Sequence, residues 1–370
     1  MTGQPTLAPG ARILVGMSGG VDSSVAAALL IEQGYQVTGG FIKNWSDSKD
    51  LWTGECQWRA ERRDAMRVAA HLGISLLTFD FEARYRERVL DRMFAEYAAG
   101  RTPNPDILCN EEIKFGLFYE EAKRLGFDGV ATGHYARSST DGEGAHLWKG
   151  IDENKDQTYF LQRIAPEALA DALFPIGHLR KPEVREEAAR LGLSVATKPD
   201  SQGICFVGKL DFHEFLRKRL PPKPGPILSS EGEVIGQHDG LDAYTIGQRH
   251  GLAVNQGQRA WYVAAKDRTK NALIMVPDAQ DPLLLRKAFV LEKMHWLNAR
   301  FAQEASLVVD IMVRYRQTPV RAELERLPEA NQYRAHCVTP VWAPAPGQSV
   351  AVYLGEECLG GGILSEDGLG

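Results

Sequence analysis

The chain has 370 residues, 44% hydrophobic and 25% charged, with a formal net charge of −5. That size allows two or three domains with ample core, and the composition is that of a soluble globular protein. The mildly acidic balance excludes a uniformly basic nucleic-acid clamp but leaves room for a local basic face. Met1 to Gly10 is polar, contains no apolar stretch and reads as a disordered tail without a signal peptide. No run long enough to span a membrane occurs, so no membrane partner is expected. The five cysteines, Cys56, Cys109, Cys205, Cys337 and Cys358, contain no C-x-x-C pair. A sparse, odd set with no secretory signal fits the reducing cytoplasm, where thiols stay free for chemistry.

In chain order, the apolar run 11–15 predicts a buried strand. It is followed by Gly16-Met17-Ser18-Gly19-Gly20-Val21-Asp22-Ser23 and then by a helix over 24–31, closed by Gly34. Strand, glycine-rich turn and helix form a phosphate cradle: glycines let the backbone approach an anion, and the helix start offers free N–H groups. No lysine lies between Gly16 and Ser23, which excludes a Walker loop, and the G-x-G-x-x-G spacing is absent. Ser-Gly-Gly-x-Asp-Ser instead resembles the pyrophosphate loop (PP-loop) of ATP pyrophosphatases. These cleave ATP between the α- and β-phosphates, and the resemblance gives Asp22 a part in holding Mg2+. An ordinary glycine-rich turn is the plainer alternative.

Further strands are predicted over 35–43, 74–81 and 128–134, alternating with helices over 55–72, 82–99 and 111–125. Pro103 and Pro105 predict an irregular stretch over 101–110. This alternation implies an α/β fold with a parallel sheet covered on both faces, and ligands at the strand carboxyl ends. After Leu220 the texture changes. Pro221 to Pro226 reads as a stiff linker, 227–276 as short strands, and 277–282 as a second linker. Period-two runs at 307–315 and 350–354 predict a small β-barrel or sandwich. The expected division is 11–212, a PP-loop domain; 213–285, a small β-rich central domain; and 286–370, a C-terminal β-barrel.

Cys109 ends the proline-rich stretch and is expected just before a helix, with Asn110 as a cap. A thiol at a helix N-terminus has its thiolate stabilised. Cys205 lies in a second irregular loop beside Gly203. Two loop cysteines in an ATP-using domain suggest a nucleophile and a sulfur carrier; two buried structural thiols are the alternative. Cys56, Cys337 and Cys358 read as structural. Arg59, Arg62, Arg63 and Arg67 share one helical face, either solvated or in contact with phosphates. Arg314-Tyr315-Arg316-Gln317 joins cations to an aromatic, a weak RNA-binding signal. His134, at a strand end, reads as a packed histidine or a ligand contact.

Taken together, the motifs at 16–23, 102–110 (Thr-Pro-Asn-Pro-Asp-Ile-Leu-Cys-Asn), 131–135 (Ala-Thr-Gly-His-Tyr), 154–161, 200–206 (Asp-Ser-Gln-Gly-Ile-Cys-Phe) and 314–317 resemble the bacterial tRNA-specific 2-thiouridylases. The resemblance runs from about residue 11 to Leu364. It implies ATP-dependent replacement of O2 of the wobble uridine (position 34) by sulfur, delivered by a persulfide carrier protein or a cysteine desulfurase. By resemblance, Cys205 carries the persulfide, Cys109 is the nucleophile, a transient Cys109–Cys205 disulfide forms, and Asp106 is an acid/base. ATP contacts carry over to Gly16, Met17, Ser18, Gly19, Gly20, Val21, Asp22, Ser23, Ile42 and Gly133; Ile42 stands where relatives often have Met. The tRNA contacts carry over to Asn104, Pro105, Asp106, His134, Lys155, Asp156, Gln157, Arg314, Tyr315 and Gln348. No resident metal site is expected, although Cys109, Cys205 and Asp106 leave an iron–sulfur cluster open. Two rivals are a PP-loop enzyme acting on a small metabolite and an RNA-binding protein that uses ATP as a switch.

Overall fold

A computed structural model describes residues 7–46, 57–200, 212–217, 219–251, 254 and 260–366. Its first part carries strands β1 (Arg12–Gly16), β2 (Gln36–Lys43), β3 (Leu76–Asp80), β4 (Gly129–Ala131), β5 (Ala136–Asp141), β6 (Gly144–Lys149) and β7 (Ala172–Leu173). Five of these form a parallel sheet in the order β3-β2-β1-β4-β7. The run Ile13-Leu14-Val15 is fully buried because β1 is central and covered on both faces. Leu14 packs with Tyr85, Val89, Met93 and Phe118, whereas Ile13 and Val15 pack with Val25, Ala26, Leu30 and Val68. Alternate side chains of one strand thus seed two cores.

Helix α1 (Val21–Glu32) and helix α2 (Gln57–His71) lie on the second of these faces. The other face holds a helix over 82–98, whose middle turns, Arg86–Asp91, are π-helical. Beside it runs a helix over 105–124 with a π-helical stretch, Asn110–Leu117. The irregular stretch expected over 101–110 is therefore confined to 101–104. Pro105 takes the first helical position, where its missing N–H would have had no partner, and Asn104 caps the helix. Cys109 does not precede a helix; it is the fifth residue of one, and Asn110 is not the cap.

The central part is a sheet of β8 (Gly225–Ser229), β9 (Val234–His238), β10 (Tyr262–Asp267) and β11 (Ala272–Val276), ordered β10-β11-β8-β9. The last part comprises β12 (Leu285–Trp296), β13 (Ser306–Met312), β14 (Val320–Arg326), β15 (Tyr333–Trp342), β16 (Ser349–Leu354) and β17 (Glu357–Leu364). β12 pairs with both β15 and β17, which closes these six strands into a barrel. β13 ends at Met312, so Arg314 and Tyr315 stand in a turn and not in the strand expected over 307–315.

The hairpin β5–β6 belongs by sequence to the first part yet pairs with β17, through Trp148↔Glu357 and Leu147↔Cys358. His146 locks this junction. Its buried ring bonds Glu357 (Nδ1 to Oε1, 2.6 Å) and Asp141 (Nε2 to Oδ1, 3.1 Å) and stacks on Trp148. Burial alone would lower the imidazole pKa, but hydrogen bonds to the two carboxylates outweigh it and raise the pKa above its ordinary value. A folded-state pKa raised above the unfolded one contributes stability that is fully present below about pH 6.5 and is lost as pH rises through the folded value. The contribution of His146 to the melting temperature is therefore expected to shrink as pH rises above about 6.5 in the wild type. His146→Gln should flatten that slope, and an unchanged slope in the variant would refute the assignment.

Candidate functional site

In the order β3-β2-β1-β4-β7, the connections leave β1 and reach β4 on opposite sides, so a crevice opens beyond their carboxyl ends. The Gly16–Ser23 turn follows β1, and Thr132-Gly133-His134 follows β4. α1 starts at Val21 with Gly20 as its N-cap and no side chain capping it. Its first-turn N–H groups lack intrahelical acceptors and carry the positive end of the helix dipole, an arrangement suited to an anion. The turn is shaped by its own hydroxyls: Ser18 N donates to Ser23 Oγ at 3.2 Å, the two Oγ atoms lie 3.3 Å apart, and Ser24 Oγ donates to Gly20 O at 2.7 Å. Gly19 has φ +73°, and a Cβ there would stand 2.2 Å from Glu61 O. A Cβ on Gly133 would stand 2.5 Å from Ser23 N and 2.6 Å from Asp22 C, so β4's terminus seats directly on the turn.

The lysine that the loop lacks comes from elsewhere in the chain. Lys181, the first residue of a helix over Lys181–Arg190, places Nζ 2.7 Å from Asp22 Oδ1 and 2.8 Å from Asp200 Oδ1. Tyr135 Oη donates to the same Asp22 oxygen at 2.9 Å. Asp200 also meets Lys155 at 2.7 Å and Arg185 at 2.9 Å. Burial alone would raise the Asp200 pKa, but the Lys155 and Lys181 ammonium groups overcome it and hold the carboxyl down at about 2. Burial and the Asp22 charge push the Tyr135 hydroxyl pKa well above its usual value. On the other flank, Lys198 Nζ donates to Gly19 O at 2.9 Å and to Asp64 Oδ2 at 2.7 Å. Sequence reasoning found Asp22 and Lys155 but missed Tyr135, Lys181, Arg185, Lys198 and the part Asp200 plays. The absence of a lysine within the loop was the only available hint.

The remaining expected residues fall into three groups. Gln157 and Asp156 build the rim: Gln157 Oε1 accepts from Tyr135 N at 2.9 Å, and buried Asp156 accepts from Gly150 N at 3.0 Å and Thr158 Oγ1 at 2.8 Å. His134 is buried; Nδ1 lies 2.7 Å from Thr132 Oγ1 and Nε2 3.5 Å from Lys114 Nζ. Burial and the nearby ammonium push its pKa well down, so it is neutral at pH 7. Ile42 is a buried residue of β2.

Near Cys109, Asn104 Oδ1 accepts from Asp106 N at 3.1 Å and Ile107 N at 3.2 Å. Cys109 has no exposed surface and lies in the core cluster with Ile107, Ile113 and Phe118. At the fifth helical position it is beyond the first turn, where the dipole effect is strongest. Cys205 and Cys56 lie outside the described residues. Cys337 and Cys358 are buried barrel residues whose thiol pKa values burial pushes up to about 11 and about 12.

Arg314, Tyr315 and Gln348 meet at the barrel's edge. The Arg314 guanidinium donates to Ile246 O and Ala343 O, each at 2.7 Å, and faces Gln348 Oε1 at 3.4 Å, while Tyr315 packs on Phe160. On α2, Arg62 bonds Thr78, Arg67 pairs with Asp64, and Arg59 lies over Trp58. Among the described residues, no cluster of three or more His, Cys, Asp or Glu could hold a metal, and no helix is long and apolar enough to cross a membrane. Gly133→Ala, by forcing a methyl group into the Asp22–Ser23 backbone, is expected to destabilise the fold by about 1–3 kcal/mol. It should also displace the turn and weaken nucleotide binding in calorimetry; unchanged affinity would show that the contact is dispensable.

Three family matches cover nearly the whole chain. Residues 11–209 match the "tRNA methyl transferase HUP domain", 213–277 the "tRNA methyl transferase PRC-barrel domain", and 286–364 the "Aminomethyltransferase beta-barrel domain". The tRNA-specific 2-thiouridylase MnmA of Pseudomonas entomophila is 48% identical over 357 residues, covering 95% of this chain and 94% of the relative. That of Haemophilus ducreyi is 46% identical over 358 residues, 95% of this chain and 92% of the relative. The solved U34-tRNA thiolase NcsA of Methanococcus maripaludis aligns at 16% identity over 60% of this chain and 71% of its own, with a TM-score of 0.37, too low to bear on the assignment. On near-full-length identity approaching one half, the chain belongs to the tRNA-specific 2-thiouridylases, sulfurtransferases that modify a uridine of tRNA.

Proposed function

We propose that the enzyme uses ATP, supplied as its magnesium complex, to adenylate O2 of the wobble uridine (position 34) and then replaces that oxygen with persulfide sulfur. The observation that carries this reading is the uncapped N-terminus of α1, open to an anion and flanked by Lys181 and Lys198. A carbonyl oxygen leaves poorly. Attack of O2 on the α-phosphorus expels pyrophosphate, and C2 then carries AMP as its leaving group. The α1 amides and the two lysines supply positive charge where pyrophosphate develops. Asp22 suits Mg2+ held jointly with nucleotide phosphates, since Mg2+ is commonly bound by one or two carboxylates plus substrate phosphates. Gly16 through Ser23 together with Gly133 form the cradle, and Ile42 lies beside them.

Sulfur arrives on Cys205 as a persulfide from a carrier protein or a cysteine desulfurase. Its terminal sulfur attacks C2 and AMP leaves. The Cys109 thiolate then attacks the Cys205 Sγ, releasing the 2-thiouridine sulfur and leaving a Cys109–Cys205 disulfide that an external thiol reduces. Asp106, one turn before Cys109, takes and returns the proton. Asn104 and Pro105, which start the Cys109 helix, sit with Asp106 where the base is presented. His134, Asp156 and Gln157 shape the tRNA site through the rim, while Lys155, Arg314, Tyr315 and Gln348 border it; the exposed arginines of α2 reach the tRNA backbone. A reaction that needs tRNA and reducible thiols is best suited to the cytoplasm. The PP-loop domain spans 11–212, the central domain 213–285 and the barrel domain 286–370.

Pyrophosphate release that depends on unmodified tRNA tests the reading, because a metabolite enzyme would not need the tRNA. Asp22→Ala should lower that release by about 10²-fold or more while the protein still folds, since Lys181 keeps its partner Asp200. With a labelled sulfur donor, Cys109→Ser should load sulfur on Cys205 without thiolating tRNA, whereas Cys205→Ser should adenylate but accept no sulfur. Labelled 2-thiouridine from Cys205→Ser would reverse the two roles.

A further inference from the structure

The segment that launches the Cys109 helix is held by parts of the chain far from it in sequence. The helix over 82–98 closes on a turn at Gly100 (φ +78°), in which Gly100 N donates to Tyr97 O at 2.7 Å and Arg101 N to Glu96 O at 2.9 Å, so the carbonyls that still need donors are those of Ala98, Ala99 and Gly100. Two cations from the central part of the chain supply those donors. Arg268 donates to Ala98 O at 3.1 Å and to Ala99 O, and Lys266, in β10, donates Nζ to Gly100 O at 3.1 Å. Cations at this end also complement the helix dipole. Thr102 is held from both C-terminal parts: its N donates to Pro346 O of the barrel part at 2.8 Å, and its Oγ1 lies 3.4 Å from Thr245 Oγ1 of the central part. Arg101 folds back onto Glu96, with Nη2 to Oε1 at 2.7 Å. Two residues later Asn104 caps the helix that carries Asp106 and Cys109.

We propose that Lys266 and Arg268 form a clasp that fixes the start of the Cys109 helix, and so act as positioning residues for it. Neither touches Cys109; the effect passes through the backbone of residues 98–104. Between the clasp and Asn104, residues 101–103 are non-helical, so position is imposed by outside contacts and not by a continuous helix. Lys266 is partly buried, and burial, helped by the Arg268 charge, lowers its ammonium pKa to about 8 against the opposing pull of Asp242. The part of the proposal that concerns catalysis rests on the role given above to Cys109; the clasp itself does not.

The full-length protein supplies a local reporter. Cys109, Cys337 and Cys358 are all buried, so alkylation of each by iodoacetamide, mapped by mass spectrometry, reads local opening. In Lys266→Met, Cys109 alkylation should rise several-fold while Cys337 and Cys358 stay at wild-type rates. Single-turnover thiolation at saturating tRNA should fall by about tenfold with the ATP affinity unchanged. Lys266→Arg, which keeps the cation, should restore both readings. Wild-type alkylation of Cys109 in a folded Lys266→Met protein would overturn the clasp. A parallel rise at all three cysteines would overturn it too, by showing a general loss of stability. A rise confined to Cys109 with full thiolation would uphold the clasp and remove Cys109 from the reaction.

Discussion

The candidate site depends on one ammonium group shared by two carboxylates. Lys181 lies between Asp22, in the first turn of α1, and Asp200, and its side chain is only 11% exposed. Such a pair is weak evidence for stability, since taking charges out of water offsets most of the attraction. What it supplies is position. Asp22 belongs to the loop after β1, Lys181 to a helix that begins some 160 residues later, and Tyr135 to the segment after β4. All three converge on one oxygen, so the sheet order that brings β1 next to β4 is a condition for the site to exist.

The same logic governs the other half of the site. Residues 99–104 form no helix or strand, and Arg268, Lys266, Thr245 and Pro346 satisfy several polar groups of this segment and of the helix end before it. Backbone groups outside helices and strands still need partners, and here several of them come from the two C-terminal parts of the chain. The hairpin β5–β6 runs the opposite way, leaving the first part to extend the barrel sheet beyond β17. Pro105 and Asn104 then restart helix at once, which explains how a proline-rich stretch can precede an ordered helix start.

Several features were legible in the amino-acid sequence because they rest on local physics. Ile13-Leu14-Val15 reads as a buried strand, the glycines and serines of 16–23 read as a turn suited to an anion, and Gly133 falls at a strand end. The alternation of strand and helix periods specified a parallel sheet, and the period-two runs after 288 specified a β-rich end. The proline pair misled, because the rule that proline breaks a helix interior says nothing against proline at its first turn. The Cys109 environment was misread for the same reason.

Other features were decided only by tertiary structure. No spacing rule links Asp22 to Lys181 or Gly100 to Lys266, because contacts across 159 and 166 positions follow from strand order and domain packing and not from periodicity. His146 gives no sign in the sequence of its bond to Glu357, 211 positions away, since only the pairing of β6 with β17 brings them together. Arg314 reads as a free cation in a basic patch, yet the folded chain binds its guanidinium to two carbonyls. Local sequence determined which residues could turn, cap or cross the core; the long-range pairing of strands decided which charges would meet, because only closure of the chain sets distances between residues far apart along it.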